Sequence, residues 1–194
     1  LALGTAGQLW GRSEKAAWLV GGSVSRFSTL RSAGGTELPF SDFTSGGWHA
    51  KGQWQSGSQW LITGAYLGTR LSDAGRTDQL GRGDLRFYDN DDHLSYVRLR
   101  RSGALRPYTF STTLSYHRSR EYVERFDFRT NAGGTLADVD ATLRLDPAAV
   151  TRQVHYTDVV DVIGGSSDIE WAFLRRRVRV QAGADLYEEF VGSE

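Results

Sequence analysis

The chain contains no cysteine and no methionine, and only 3 of its 194 residues are proline. The absence of cysteine excludes a disulfide framework, a thiolate metal site and a cysteine nucleophile. Without methionine there is no initiator residue, and the first nine residues lack the charged-then-apolar layout of a secretory signal. We therefore expect the sequence to be a segment of a longer protein.

Long hydrophobic runs and an excess of either charge are missing as well. The longest uninterrupted apolar run, at residues 16–20, has five residues, whereas a helix that spans a bilayer needs about 20. Lysine and arginine together number 23, and so do aspartate and glutamate. A protein that binds nucleic acid by neutralising phosphates normally has a basic excess. The sequence therefore offers no helical membrane anchor, and we expect no nucleic-acid partner.

Glycine, aromatic residues and period-two alternation are abundant. The chain has 23 Gly, 9 Phe, 8 Tyr and 6 Trp. At residues 108–117, aromatic or apolar positions alternate with Ser, Thr and His, and at 177–186 Val, Ala and Leu alternate with Arg, Gln and Asp. Alternation at every second position predicts strands that have one apolar face and one polar face. We therefore predict an all-β chain.

Short and long connections between the predicted strands alternate along the chain. Polar, hairpin-like turns lie at 13–15, 56–58, 102–107 and 175–176, and irregular stretches lie at 30–45, 71–92 and 121–155. This rhythm predicts an antiparallel meander of about eight strands, several of them about 10 to 14 residues long, above the usual strand length. Short turns at one end and long loops at the other are typical of an outer-membrane barrel.

A soluble antiparallel sandwich or a lipocalin-like barrel alternates equally well and is the alternative at this point. The positions of the aromatic residues favour the membrane. Trp10 and Trp18 flank the first short turn, Trp54 and Trp60 flank the second, and Tyr108 follows the third. Amphipathic rings prefer the headgroup level of a bilayer. We therefore predict that these five residues form a membrane-interface girdle.

Three short motifs follow one another between residues 71 and 100. They are Arg76-Thr77-Asp78, Phe87-Tyr88-Asp89 and Leu94-Ser95-Tyr96-Val97-Arg98. In this order they resemble a stretch of TonB-dependent outer-membrane receptors, where an Arg-x-Asp loop precedes an aromatic-Asp-Pro-Gln segment and a Leu-x-Tyr-x-Arg strand. Here Asn90-Asp91 replaces the Pro-Gln. Residues 180–194 are similar to the family's strand that ends in Gly-x-Glu/Asp-Leu-Tyr.

The resemblance implies a fold, a location and a set of partners. Family members combine an N-terminal plug with a barrel of about 22 strands and import iron chelates, haem or cobalamin with energy passed from the inner membrane. Residues 1–194 would then be one segment of a transmembrane β-barrel in the bacterial outer membrane, without the plug and the remaining strands. The implied partners are the lipid bilayer, the plug of the same parent chain, a TonB-type energy-coupling protein that acts through the plug, and a small-molecule metal chelate or similar nutrient.

A complete small barrel is the alternative that we keep, because eight strands can close on themselves and serve as a structural anchor or adhesin. An enzyme is disfavoured, since neither a phosphate-binding glycine loop nor an obvious catalytic pairing occurs. We expect no cofactor, and the four histidines lack the spacing of metal ligands. The adhesion tripeptide Arg82-Gly83-Asp84 is interpreted as a chance match.

Substrate selectivity is expected from aromatic and charged side chains on the long loops. The candidates for substrate binding are Phe40, Phe43, Arg76 and Tyr88. We predict no catalytic residues.

Overall fold

The computed structural model describes residues 2–102, 108–129, 150–173 and 178–193. The predicted turn at 175–176 and most of those at 102–107 and 121–155 lie outside these ranges. In the described residues the strands are β1 (Ala2–Arg12), β2 (Ala16–Phe27), β3 (Leu30–Arg31), β4 (Glu37–Leu38), β5 (Phe43–Ser56), β6 (Trp60–Arg76), β7 (Asp84–Arg101), β8 (Tyr108–Phe128), β9 (Val150–Phe173) and β10 (Val178–Ser193). One turn of 3₁₀ helix, Leu80–Arg82, precedes β7.

Eight of these strands form a single antiparallel sheet in the order β1-β2-β5-β6-β7-β8-β9-β10. The short β3 and β4 pair with each other in the connection between β2 and β5. The predicted all-β meander is therefore confirmed. Closure of a small barrel would require β1 to pair with β10, and in the described part of the chain each has one partner. The sheet is open at both edges.

Four central strands are longer than predicted. The strands β6, β7, β8 and β9 contain 17, 18, 21 and 24 residues. The irregular stretches predicted at 71–92 and 121–155 are therefore partly wrong, because β6 continues to Arg76, β7 begins at Asp84 and β8 continues to Phe128. Charged residues on both faces hide the apolar alternation there, although the backbone pairing continues. A bulge between Leu71 and Ala74 shifts the register once.

The sheet has two chemically different faces. Residues directly opposite each other on paired strands share a face, and their chain neighbours point to the other face. The register assigns five residues to the face that we call the tryptophan face: Trp18, Trp48, Trp54, Trp60 and Trp171. The opposite, polar face carries Lys51, Thr63, Arg98, Ser111 and Asp168.

The apolar residues of the tryptophan face are not covered by a second layer. Trp18 and Trp54 are each 50% exposed, and Leu114 is 68% exposed. The accessible surface is 13503 Å², whereas a compact soluble monomer of this mass exposes about 9,200 Å². The soluble sandwich is therefore excluded, because these rings do not pack in a dry core. Within the described ranges, no helix is both long and apolar enough to cross a bilayer.

Aromatic rings lie across glycines of the neighbouring strand. Trp48 is directly opposite Gly68, and a Cβ atom at Gly68 would overlap the indole. Trp18 has the same relation to Gly11, where a Cβ atom would lie 2.7 Å from the indole Nε1. A glycine at these positions lets the ring lie flat against the sheet and cover the backbone. These contacts account for part of the glycine excess.

Replacement of Gly68 by valine tests this contact. We expect the free energy of unfolding of the full-length protein in lipid vesicles to fall by about 1–3 kcal/mol, because the Trp48 indole must move. Urea unfolding measures the change. The matched control is Gly64→Val on the same strand and face, since a Cβ atom there meets nothing within 4 Å. Equal losses in both variants would contradict the role of the Trp48 contact.

Candidate functional site

We call the end of the sheet near Arg76, Asp84 and Phe128 the loop end. It has a small apolar core of its own. Leu80 in the 3₁₀ turn, Leu85 in β7 and Phe128 in β8 are 0%, 2% and 6% exposed. Phe40, from the connection between β2 and β5, and Phe87 pack against this core. The connections at 28–42 and 77–83 are thereby held against the upper parts of the long strands.

Phe40 belongs to this core and lies on the same side of the sheet as the tryptophan face. Its ring meets Phe87 edge-on at 5.9 Å between centroids. Its backbone has a φ of 60°, in the left-handed region that is costly for a residue with a side chain. Its carbonyl oxygen lies so close to Gly75 that a Cβ atom there would overlap it. The ring predicted to bind substrate is thus packed against the wall of the sheet.

Arg76 and Tyr88, in contrast, meet on the polar face. The Arg76 guanidinium donates to both carboxylate oxygens of Asp78, with Nε–Oδ1 at 2.7 Å and Nη2–Oδ2 at 3.0 Å. This pairing lowers the pKa of Asp78 to about 2 and raises the pKa of Arg76. The Tyr88 side chain lies beside both Arg76 and Arg86 on the polar face. Two guanidinium groups, each paired with a carboxylate, therefore flank one phenol ring.

A second ionic network continues along the polar face from Arg86. Arg86 donates to both oxygens of Asp84 at 3.0 and 2.8 Å, and Arg125 lies 3.1 Å from the same carboxylate. Arg125 also donates to Asp127 at 3.0 Å. The Asp84 side chain is 15% exposed, and its pKa is lowered chiefly by the hydrogen bond from Arg86. The carboxylate of the Arg82-Gly83-Asp84 tripeptide is therefore already engaged.

Phe43 is the first residue of β5 and also lies on the polar face. It stacks on Phe27 of β2, with 4.3 Å between ring centroids and 17° between planes. Of the four predicted substrate-binding residues, Arg76 and Tyr88 are in contact, Phe43 shares their face, and Phe40 does not. Asp78 engages two of the five N–H groups of Arg76. The remaining N–H groups, the Tyr88 phenol and the Phe43 ring together suit a ligand with polar or anionic oxygens.

The predicted girdle residues fall into two groups. Trp18, Trp54, Trp60 and Tyr108 share the tryptophan face near the short turns. Trp10 lies on the polar face, because it pairs directly with Leu19 and is out of phase with Trp18. The position of a ring beside a turn is therefore not enough to set its face, because the face depends on the register of the two strands.

A second aromatic row, which the sequence analysis missed, lies on the tryptophan face nearer the loops. It consists of Trp48, Tyr66 and Tyr116. Trp48 precedes Trp54 by six positions on β5, which is about 20 Å along a strand. The apolar band of a membrane barrel is about 25 Å tall and is bounded by aromatic residues on both sides. With the usual strand tilt of about 40°, the separation of Trp48 and Trp54 is about 15 Å along the barrel axis, and the eight positions from Tyr108 to Tyr116 on β8 correspond to about 20 Å. The two rows therefore lie on either side of the middle of such a band.

Three solved structures share this arrangement of strands. FpvA from P. aeruginosa, solved as an iron complex with a pyoverdine, matches with a TM-score of 0.67 and 10% identity over 99% of this chain and 30% of FpvA. BauA, the ferric preacinetobactin receptor from Acinetobacter baumannii, gives 0.58 and 11% over 99% of this chain and 34% of BauA. FyuA, the ferric yersiniabactin uptake receptor from Yersinia pestis, gives 0.54 and 9% over 98% of this chain and 34% of FyuA.

FpvA, BauA and FyuA are TonB-dependent receptors of the outer membrane. The chain has the barrel fold of a TonB-dependent receptor. It spans about a third of the length of these three proteins. No protein-family model and no curated protein matches the sequence. The resemblance inferred from the motifs is therefore confirmed at the level of the fold, and the predicted location is that of the three receptors.

The described residues at the loop end do not form a metal site. Among the described residues, no group of three or more His, Asp or Glu side chains is placed to hold a metal ion. The sequence analysis assigned no binding role to Asp84, Arg86 or Arg125, because it interpreted 71–92 and 121–155 as loops. The spacing of Asp84, Arg86 and Tyr88 at every second residue was the available signal for a strand whose charged side chains share one face.

Proposed function

We propose that the chain forms part of the barrel wall of an outer-membrane receptor for energy-coupled uptake of a scarce nutrient, of the iron-siderophore, haem or cobalamin class. The observation that carries this proposal is the match of 99% of the chain to FpvA. In such a barrel wall, the tryptophan face contacts lipid and the polar face lines the lumen. The short turns are periplasmic, and the loop end is outside the cell.

The open edges of the sheet support its role as one part of a larger wall. Unpaired backbone groups cannot remain exposed to hydrocarbon, so β1 and β10 require partner strands in a membrane. The described part of the chain then contributes eight strands, while the plug domain and the other strands belong to the remainder of the full-length protein. A TonB-type protein would pass energy to the barrel through the plug.

The substrate is bound at the loop end of the polar face, where Arg76 and Tyr88 contact its anionic or polar oxygens and Phe43 offers an aromatic surface. Charge-assisted hydrogen bonds from guanidinium are strong and directional. BauA is described as the ferric preacinetobactin receptor and FyuA as the ferric yersiniabactin uptake receptor. A ferric siderophore is accordingly the first substrate class to test.

The test is a binding measurement on the full-length protein. Ferric siderophores, haem and cobalamin are each titrated while the intrinsic tryptophan fluorescence is followed, and we expect saturable binding of one class. Arg76→Gln should weaken that binding about tenfold or more, since hydrogen bonds to charged groups contribute about 1.5–3 kcal/mol. Arg31→Gln, in the exposed β3–β4 hairpin, is the control. Absence of saturable binding in all three titrations would contradict the proposal.

A further inference from the structure

The tryptophan face changes its chemistry in layers towards the loop end. Beyond the aromatic row of Trp48, Tyr66 and Tyr116 comes a layer that contains three arginines: Arg70, Arg118 and Arg120. Further out, three carboxylates line one small cavity: Asp73, Asp89 and Glu124. An aromatic row, a basic layer and an acidic layer thus follow one another along the same strands.

The basic layer lies at a definite height above the aromatic row. Arg118 and Arg120 follow Tyr116 by two and four positions on β8, and Arg70 follows Tyr66 by four on β6. With about 3.3 Å per residue and the usual tilt of barrel strands, the arginines lie about 5–10 Å beyond the tyrosines. The polar headgroup region is about 5–8 Å thick on each side of the hydrocarbon core. The guanidinium groups therefore lie at headgroup level.

Arg118 and Arg70 each form a long ion pair with a carboxylate of this layer. The Arg118 Nε atom is 3.8 Å from Asp161 Oδ1, and that oxygen instead accepts a hydrogen bond of 2.5 Å from the Tyr116 hydroxyl. The Arg70 Nε atom is 3.7 Å from Asp91 Oδ1. Both separations are too long for hydrogen bonds. The side chains of Arg70 and Arg118 are 58% and 47% exposed.

Arg120 has no ion-pair partner among the described residues. In the part of the chain that the structure describes, no carboxylate oxygen lies within the 4 Å of an ion pair with its guanidinium, and the side chain is exposed. It pairs across the sheet with Asp91 on one side and Val159 on the other. The layer thus holds three arginines against two aspartates.

We propose that Arg70, Arg118 and Arg120 bind the phosphate groups of anionic lipid in the outer leaflet. The planar fork of guanidinium matches phosphate oxygens in a bidentate manner. The acidic layer above repels phosphate, and the apolar band below excludes it, so the basic layer is the height at which a lipid phosphate is stable. The proposal rests on the membrane placement given above, and it is independent of nutrient uptake.

Lipid binding to the full-length protein is measured by native mass spectrometry with diphosphorylated lipid A as the probe. We expect wild type to retain lipid A, and Arg118→Gln/Arg120→Gln to bind it about 25-fold more weakly, since each arginine at an anionic surface strengthens binding roughly fivefold. Lipid A from which the phosphates have been removed should not be retained by either protein.

The matched control is Arg152→Gln/Arg179→Gln, which removes two arginines from the polar face and should bind lipid A like wild type. Arg118→Lys/Arg120→Lys keeps the charge and should retain most of the binding. Equal loss in the Lys and Gln variants would indicate a structural role and overturn the proposal, as would unchanged binding in the Gln variant. Equal retention of dephosphorylated lipid A would assign the binding to acyl chains. Displacement by millimolar inorganic phosphate would assign it to free anions, which also overturns a lipid site.

Discussion

Replacement of Val97 by arginine is expected to lower the free energy of unfolding of the full-length protein in a bilayer by about 2–4 kcal/mol. Val97 is 56% exposed on the tryptophan face, where it lies between Gly64 and Leu114. It is four positions from Arg101 and four from His93, midway between the two aromatic rows. An arginine at this depth would lie in hydrocarbon, whereas the native Arg98, the next residue, lies on the polar face.

The experiment measures urea unfolding in phosphatidylcholine vesicles. The control is Ser115→Arg on β8, which adds the same side chain to the polar face next to Tyr96. We expect its cost to stay below about 1 kcal/mol, because lumen-facing substitutions avoid the hydrocarbon. If Ser115→Arg is as costly as Val97→Arg, or if neither variant is destabilised, the assignment of the tryptophan face to lipid is wrong.

The alternation of the sequence was enough to predict the sheet and its two faces. Residues 108–116 alternate cleanly because one face must be apolar over the whole height of a membrane and the other must not. The face of Trp10 could not be predicted in this way. The register of β1 and β2 depends on the geometry of the turn at 13–15, and a shift of one residue moves a side chain to the opposite face.

The loop end was the hardest part to predict, for a physical reason. Above the membrane both faces of a strand are wet, so polar and charged residues occupy successive positions and the alternation disappears. Arg76 and Tyr88 were named separately as candidates, and their proximity was not predicted, because it depends on the register of β6 and β7 beyond the bulge. The packing of Phe40 against Phe87 joins segments far apart in sequence, and no local pattern predicts such a contact.

The second large expected effect concerns the core at the loop end of the sheet. Leu85→Ala is expected to destabilise the connections at 28–42 and 77–83 locally by about 2–5 kcal/mol, the usual cost of truncating a buried leucine. Leu85 is 2% exposed and belongs to the core against which Phe40 packs. The membrane-spanning parts of β6, β7 and β8 should keep their stability, because their pairing does not depend on this side chain.

Hydrogen–deuterium exchange of the full-length protein resolves the two regions. A local loss of about 2 kcal/mol corresponds to about 30-fold faster exchange of the amides in the two connections, since 1.4 kcal/mol is a factor of ten. Leu30→Ala is the matched control in the same connection, because Leu30 is 56% exposed and its truncation leaves no cavity. Unchanged exchange in Leu85→Ala would mean that the connections are held by their backbone hydrogen bonds alone. Faster exchange throughout the sheet would mean that the loop-end core stabilises the barrel wall itself.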